Sequence, residues 1–131
     1  MILLDTHVVV WLLAGRTDRL SVGVSDLIER NRVAISPIVE LELSYLYEIG
    51  RIAAPASVII GQLAARIGLA IDDVPYGRIC NTAAGLTWTR DPFDRLQAAH
   101  AVYRDVPLVT KDADLLANLP LAVWPEETWH P

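Results

Sequence analysis

The chain has 131 residues, 53% of them hydrophobic and 21% charged, with a mean hydropathy of +0.33. That length fits one domain enclosing one core, and the composition excludes intrinsic disorder, which needs low hydrophobicity and high net charge. The net charge is −5 and the isoelectric point near 5.0, a balance that on its face argues against nucleic acid, whose binders carry a basic footprint.

In chain order, Ile2-Leu3-Leu4 is a short apolar run ending at Asp5, which reads as a buried strand and a polar turn. Thr6 is placed to cap a helix over 7–14, with Gly15 as its stop. Residues 21–31 carry Val24, Leu27 and Ile28 at the spacing of a helix face. Val33-Ala34-Ile35 is the second strand. Ser36-Pro37 then opens a helix through Ile38, Leu41, Leu43, Leu46 and Ile49, ended by Gly50. A helix over 55–67 closes at Gly68, and a third strand follows over 69–71. The next helix covers 76–86. Asp91-Pro92 repeats the cap-then-proline signature and launches a helix to residue 104. A strand over 108–110, a short helix over 112–118 and a last strand over 121–123 complete the chain.

Short apolar strands alternating with helices predict a three-layer α/β/α sandwich with a mostly parallel central sheet. Residues 1–131 read as one domain, without repeats or linkers. The apolar surplus predicts a surface patch buried against a partner. Cys80 stands alone, which excludes an intrachain disulfide and a cysteine zinc site, and it reads as a small buried hydrophobe. The start lacks a basic leader, and the longest apolar run, 8–14, falls short of the roughly 20 residues of a membrane span. A cytoplasmic protein is expected.

In parallel sheets ligands gather at the carboxyl ends of the strands, and acids recur there. Asp5 follows the first strand and Asp112 the fourth, Asp94 lies in the first turn after Asp91-Pro92, and Glu42 lies on the helix after the second strand. Singly, each has an ordinary explanation as a helix cap, a first-turn acid or a solvated residue. Together, four acids on one sheet edge repel one another, and such a cluster persists when divalent cations occupy it. All-oxygen ligation suits Mg²⁺ or Mn²⁺.

Leu3-Leu4-Asp5-Thr6-His7, Ser36 with Glu42 beyond it, Asp91-Pro92-Phe93-Asp94-Arg95 and Leu108-Val109-Thr110-Lys111-Asp112 closely resemble the PIN-domain ribonucleases, and within them the VapC-type toxins of bacterial toxin–antitoxin systems. The resemblance covers nearly the whole chain. It implies that Asp5, Glu42, Asp94 and Asp112 are the catalytic, metal-holding quartet of an Mg²⁺-dependent endoribonuclease, acting on RNA in the cytoplasm. It also implies a homodimer and a cognate antitoxin that docks a helix on the toxin. Glu40 and Glu42 point about 200° apart on a helix, and the motif selects Glu42. Asp91 reads as the cap before Pro92, which leaves Asp94 as the ligand. His100 stands where family members often carry glutamine, and it reads as a helix residue near the core or dimer face.

Thr6 and Thr110 are supporting candidates that orient the acids through their hydroxyls. Arg95 is a candidate to contact phosphate or lock a carboxylate, and Asp114 to assist Asp112. Arg16, Arg19, Arg51, Arg78, Arg90 and Lys111 are available for phosphate contacts. The tryptophans could stack on bases, although Trp11 and Trp124 read better as packing residues. The helix bearing Leu41, Tyr45, Leu46, Tyr47 and Ile49 is the expected partner face. Three other classes were weighed. A haloacid-dehalogenase-type phosphatase needs an acid where His7 stands. A receiver-like Mg²⁺-binding signalling domain needs an acidic pair that is missing here. A binding module would keep its activity without the acids. Within the family, an RNA-processing nuclease without an antitoxin is the alternative. With the four site acids set aside, the rest of the chain is nearly neutral, so the acidic balance no longer argues against RNA.

Overall fold

The computed structural model describes residues 1–127; Trp129 lies outside them. In chain order the elements are β1 (Ile2–Leu4), α1 (Thr6–Leu13), a 3₁₀ turn (Thr17–Arg19), α2 (Val22–Arg30), β2 (Val33–Ile35), α3 (Pro37–Glu48), α4 (Ala56–Ile67), β3 (Ala70–Ile71), α5 (Tyr76–Ala84), α6 (Pro92–Arg104), β4 (Leu108–Val109), α7 (Ala113–Asn118) and β5 (Ala122–Val123). The expected order of elements holds throughout. Boundaries move by one or two residues, the last three strands are shorter than predicted, and the 3₁₀ turn is additional.

The sheet order is β3-β2-β1-β4-β5, and every adjacent pair is parallel. β1 is therefore the central strand, with Leu3 in register with Ala34 of β2 on one side and Leu108 of β4 on the other. Side chains alternate across a strand, and the core divides accordingly. Ile2, Leu4, Val33, Ile35 and Val109 pack with Val8, Val24, Leu43, Ile59 and Leu63 from α1 to α4. Leu3, Ala34 and Leu108 face the other way, against Ala98 and Ala101 of α6 and Leu115 of α7. α5 lies outside α6, where Ile79 and Ala83 enclose Ala99. The result is three layers, helices on both faces of a parallel sheet.

Helix ends follow local chemistry. Gly15, Gly50 and Gly68 adopt positive φ just past the helices they were expected to stop. The Asp91 carboxylate caps α6, accepting from the backbone of Phe93 at 2.8 Å and of Asp94 at 3.3 Å. Thr6 is not a cap: α1 begins at Thr6 itself, Asp5 occupies the cap position, and neither side chain bonds the helix start, because both are engaged in the site described below. Cys80 also departs from expectation and is exposed. α5 buries Ile79 and Ala83, and Cys80 sits about 100° further round the helix.

The C-terminal segment leans on the start of α2, where Gly23 N–H donates to Glu126 O at 3.3 Å and the Ser21 hydroxyl to Pro125 O at 2.5 Å. A Cβ at Gly23 would overlap the backbone oxygens of Pro125 and Glu127, whereas at Gly61, mid-α4 and exposed, it meets open space. Gly23→Ala should therefore lose about 1–3 kcal/mol and Gly61→Ala gain about 0.5–1 kcal/mol. Urea denaturation of the two variants checks both signs.

Candidate active site

Because β1, β2 and β4 run parallel, their carboxyl ends open on one edge, where Asp5, Ser36 and Thr110 follow them directly. Asp5 is 4% exposed. Its backbone N–H donates to Val109 O at 3.0 Å, and its Oδ2 accepts the Thr110 hydroxyl at 2.8 Å. Thr110 Oγ1 also accepts the backbone N–H of Asp112 at 3.0 Å. One buried hydroxyl thus links two acids. Asp112 caps α7 through Oδ1, 2.9 Å from Leu115 N, so its capping role and its place at the edge coexist.

Glu42 reaches the same edge from α3. Thr6 donates its hydroxyl to Glu42 Oε1 in a short hydrogen bond, and Gln97 Nε2 of α6 lies 3.4 Å from that oxygen and 3.5 Å from Thr6 Oγ1. Glu40 is exposed on the same helix, as two residues of separation require. Asp94 stands in the first turn of α6, one residue past Phe93, with its backbone fixed by the Asp91 cap.

The electrostatics tie these groups together. Burial pushes Asp94 up to about 7, reinforced by the negative charges of Asp91, Asp112, Asp5 and Glu42. Burial likewise raises Glu42, with repulsion from Asp5 and Asp91 against the opposing Thr6 bond and the nearby His7. Burial raises Asp5 as well, against the Thr110 bond. Burial and mutual repulsion thus act on three carboxyls at one edge, and the nearby His7 offsets them only in part.

The supporting candidates divide. Thr6 and Thr110 each hold one of the acids. Arg95 locks none: its Nε donates to Thr89 O at 2.7 Å and fastens the loop before α6, because the guanidinium turns back over the helix start. Asp114 is exposed in the first turn of α7. Trp11 and Trp124 pack edge to face at 6.1 Å, and the Lys111 ammonium lies 5.5 Å from the Trp124 ring. His100 is fully buried and pairs through Nε2 with Asp72 Oδ2 at 2.8 Å, away from the acids. Gln97 escaped the sequence analysis. Its signal was a polar residue three positions after Asp94, next to a run of buried alanines.

Among the described residues, no three acids close on one point as a ready-made metal cage. A cation at this edge would take its remaining ligands from water and substrate phosphate, as hard divalent ions commonly do. The oxygen-only donors and the raised carboxyls agree with a divalent cation at this edge.

Comparisons with known proteins agree. The PIN domain matches residues 2–120. The chain is 34% identical over 129 residues to Ribonuclease VapC22 of Mycobacterium tuberculosis, covering 94% of this chain and 98% of that protein. Similar solved structures are a toxin–antitoxin complex from Klebsiella pneumoniae (TM-score 0.68, 20% identity, 97% of this chain and 99% of that one) and VapBC2 from Rickettsia felis bound to a promoter DNA fragment (TM-score 0.66, 22% identity, 94% and 96%). At those identities the two structures show the fold.

The raised Asp94 carboxyl has a consequence for stability. Between about pH 4 and 7 the folded chain holds a proton that the unfolded chain, at its ordinary value of 3.8, has released. Folding stability from this group is therefore complete below that ordinary value and falls as pH rises through about 7. In metal-free buffer, Asp94→Asn should raise the thermal midpoint, and the gain should grow from pH 5 to pH 8. Midpoints measured in EDTA across that range check it; a gain that shrinks with pH contradicts the assignment.

Proposed function

Since this chain belongs to the PIN-domain family, with a VapC-type ribonuclease as a relative along nearly its whole length, we propose that it is the endoribonuclease toxin of a toxin–antitoxin pair. It hydrolyses RNA phosphodiester bonds. The observation that supports the assignment of the site is the electrostatic proximity of Asp5, Glu42 and Asp112 to Asp94, which burial first and these acids with Asp91 then drive to about 7. Phosphatase, receiver and binding-module readings give way to the family.

Asp5, Glu42, Asp94 and Asp112 hold the divalent cation, Mg²⁺ in preference to Mn²⁺. When bound, the cation lowers the pKa of water toward neutrality and offsets charge on the phosphodiester. The protein's own groups do the positioning. Thr110 fixes Asp5 and the backbone of Asp112 relative to each other, Thr6 fixes Glu42, and Asp91 aims Asp94 by capping α6. His7, exposed at the start of α1, offsets the negative field at Asp5 and Glu42. Attack by water on phosphorus, with the 3′-oxygen leaving and taking a proton, yields a 3′-hydroxyl and a 5′-phosphate.

Partner contacts are assigned to α3, whose Leu41, Tyr45, Tyr47 and Ile49 are exposed, Leu41 at 59%. Apolar surface of this kind marks an interface, here with the antitoxin and a second copy of the chain. No helix among the described residues is long and apolar enough to cross a membrane, and we assign the toxin to the cytoplasm.

Three expectations test this. Asp5→Asn and Asp94→Asn should each lower Mg²⁺-dependent cleavage of RNA at least about 100-fold, and excess EDTA should abolish it in the parent chain. Mapped fragments should carry 5′-phosphates. Expression should arrest growth, relieved by the antitoxin gene beside it; arrest that no neighbouring frame relieves supports RNA processing instead. Full cleavage by Asp5→Asn overturns the assignment of the site.

A further inference from the structure

Gln97 is 1% exposed, on α6 one turn beyond Asp94. Burying a primary amide is unfavourable unless hydrogen bonds meet it. The polar contacts of this one among the described residues go to two places, Glu42 Oε1 and Thr6 Oγ1, while its own Oε1 is buried with no partner. The side chain leaves an acceptor unmet and sets its donor against Glu42. The opposite flip of the amide would press a carbonyl oxygen on the carboxylate, acceptor on acceptor, so the nitrogen is the atom that faces Glu42. Both contacts stand at the long limit of hydrogen bonding.

Glu42 depends on such help. It comes from a helix side chain, and among the described residues no backbone donor holds its carboxylate, unlike Asp91 and Asp112, which cap helices. Its two donors, Thr6 and Gln97, converge on the same oxygen, Oε1. Oε2 is then the oxygen available to a cation. Donors of this kind orient metal-ligating carboxylates and tune their affinity.

We propose that Gln97 is a positioning residue that, with Thr6, holds Glu42 Oε1 and thereby sets the affinity of the acidic edge for a divalent cation. The proposal rests on the assignment of Glu42 as a metal ligand made above. It concerns binding, so its test needs no RNA.

The experiment is calorimetric titration of the full chain with Mn²⁺ alone, for the parent, Gln97→Met, Glu42→Gln and the double variant. Methionine keeps the length of glutamine without its donor, and Gln97→Leu serves as a second variant if Gln97→Met does not fold by circular dichroism. Loss of the donor should raise the Mn²⁺ dissociation constant about 10–100-fold in the parent background. In the Glu42→Gln background it should change by less than about twofold, because the residue it acts through is gone. A folded Gln97 variant that binds Mn²⁺ like the parent overturns the proposal, as does an equal loss in both backgrounds, which marks a purely structural role. Either result leaves the ribonuclease assignment intact if Asp5→Asn still abolishes cleavage. A parent chain that binds no Mn²⁺ without RNA overturns the proposal and leaves the ribonuclease assignment to the cleavage assay.

Discussion

Everything at the acidic edge depends on the burial of one carboxylate at the end of the central strand. Asp5 is nearly enclosed because β1 has neighbours on both sides and helices on both faces. A carboxylate taken from water in this way is unfavourable unless bonded or paired. The fold gives it the Thr110 hydroxyl, the Thr6 backbone and the nearby His7, which together do not outweigh its burial. Adding Glu42, Asp94 and Asp112 nearby deepens the imbalance. Such an edge costs stability in the free chain, a local violation of the usual rules of the kind found at functional sites.

The topology explains why the acids meet. A parallel sheet sends every strand out at the same edge, so the order β2-β1-β4 brings the residues after three strands side by side although they are distant in sequence. Most of this was legible in the amino acids. Uninterrupted apolar triplets such as Ile2-Leu3-Leu4 signal strands buried on both faces. Proline after serine or aspartate marks helix starts, and glycines with positive φ mark their ends. Asp5 and Asp112 could be located near the sheet edge because position after a strand is a one-dimensional property, whereas Glu42 and Asp94 were selected by the motif.

What stayed hidden was whatever depends on direction in three dimensions. Thr6 looks like a cap because threonine beside a helix start usually is one, but the carboxylate of Glu42, thirty-six residues away, takes its hydroxyl. Arg95 sits among acids in sequence and turns to a backbone carbonyl in space. Cys80 was assigned to the core by residue type, and helical phase put it outside. Gln97 had no motif to announce it. A buried polar residue becomes visible only when its partner is known, and that partner is on another helix.

α6 shows how such contacts reach beyond the site. Asp94, Gln97, His100 and Arg104 lie at positions that share one side of the helix, bordering Ala98 and Ala101, which face the sheet. The first two serve the acidic edge. About 9 and 15 Å along the axis from Asp94, His100 and Arg104 both grip Asp72, with Arg104 bidentate at 2.7 and 2.9 Å. Asp72 follows the edge strand β3, and its backbone N–H donates to Ile35 O of β2. Burial raises the Asp72 carboxyl, but the Arg104 and His100 contacts outweigh it and hold it below the ordinary carboxylate range. Here the negative charge has its counter-charge, in contrast to the other end of the same helix. α6 is thus tied near its C-terminal end by an acid held low and presents at its N-terminal end an acid, Asp94, pushed up. Buried alanines between the two ends pack against the sheet, so one helix joins a charge-balanced contact at β3 to the acidic edge after β1 and β4.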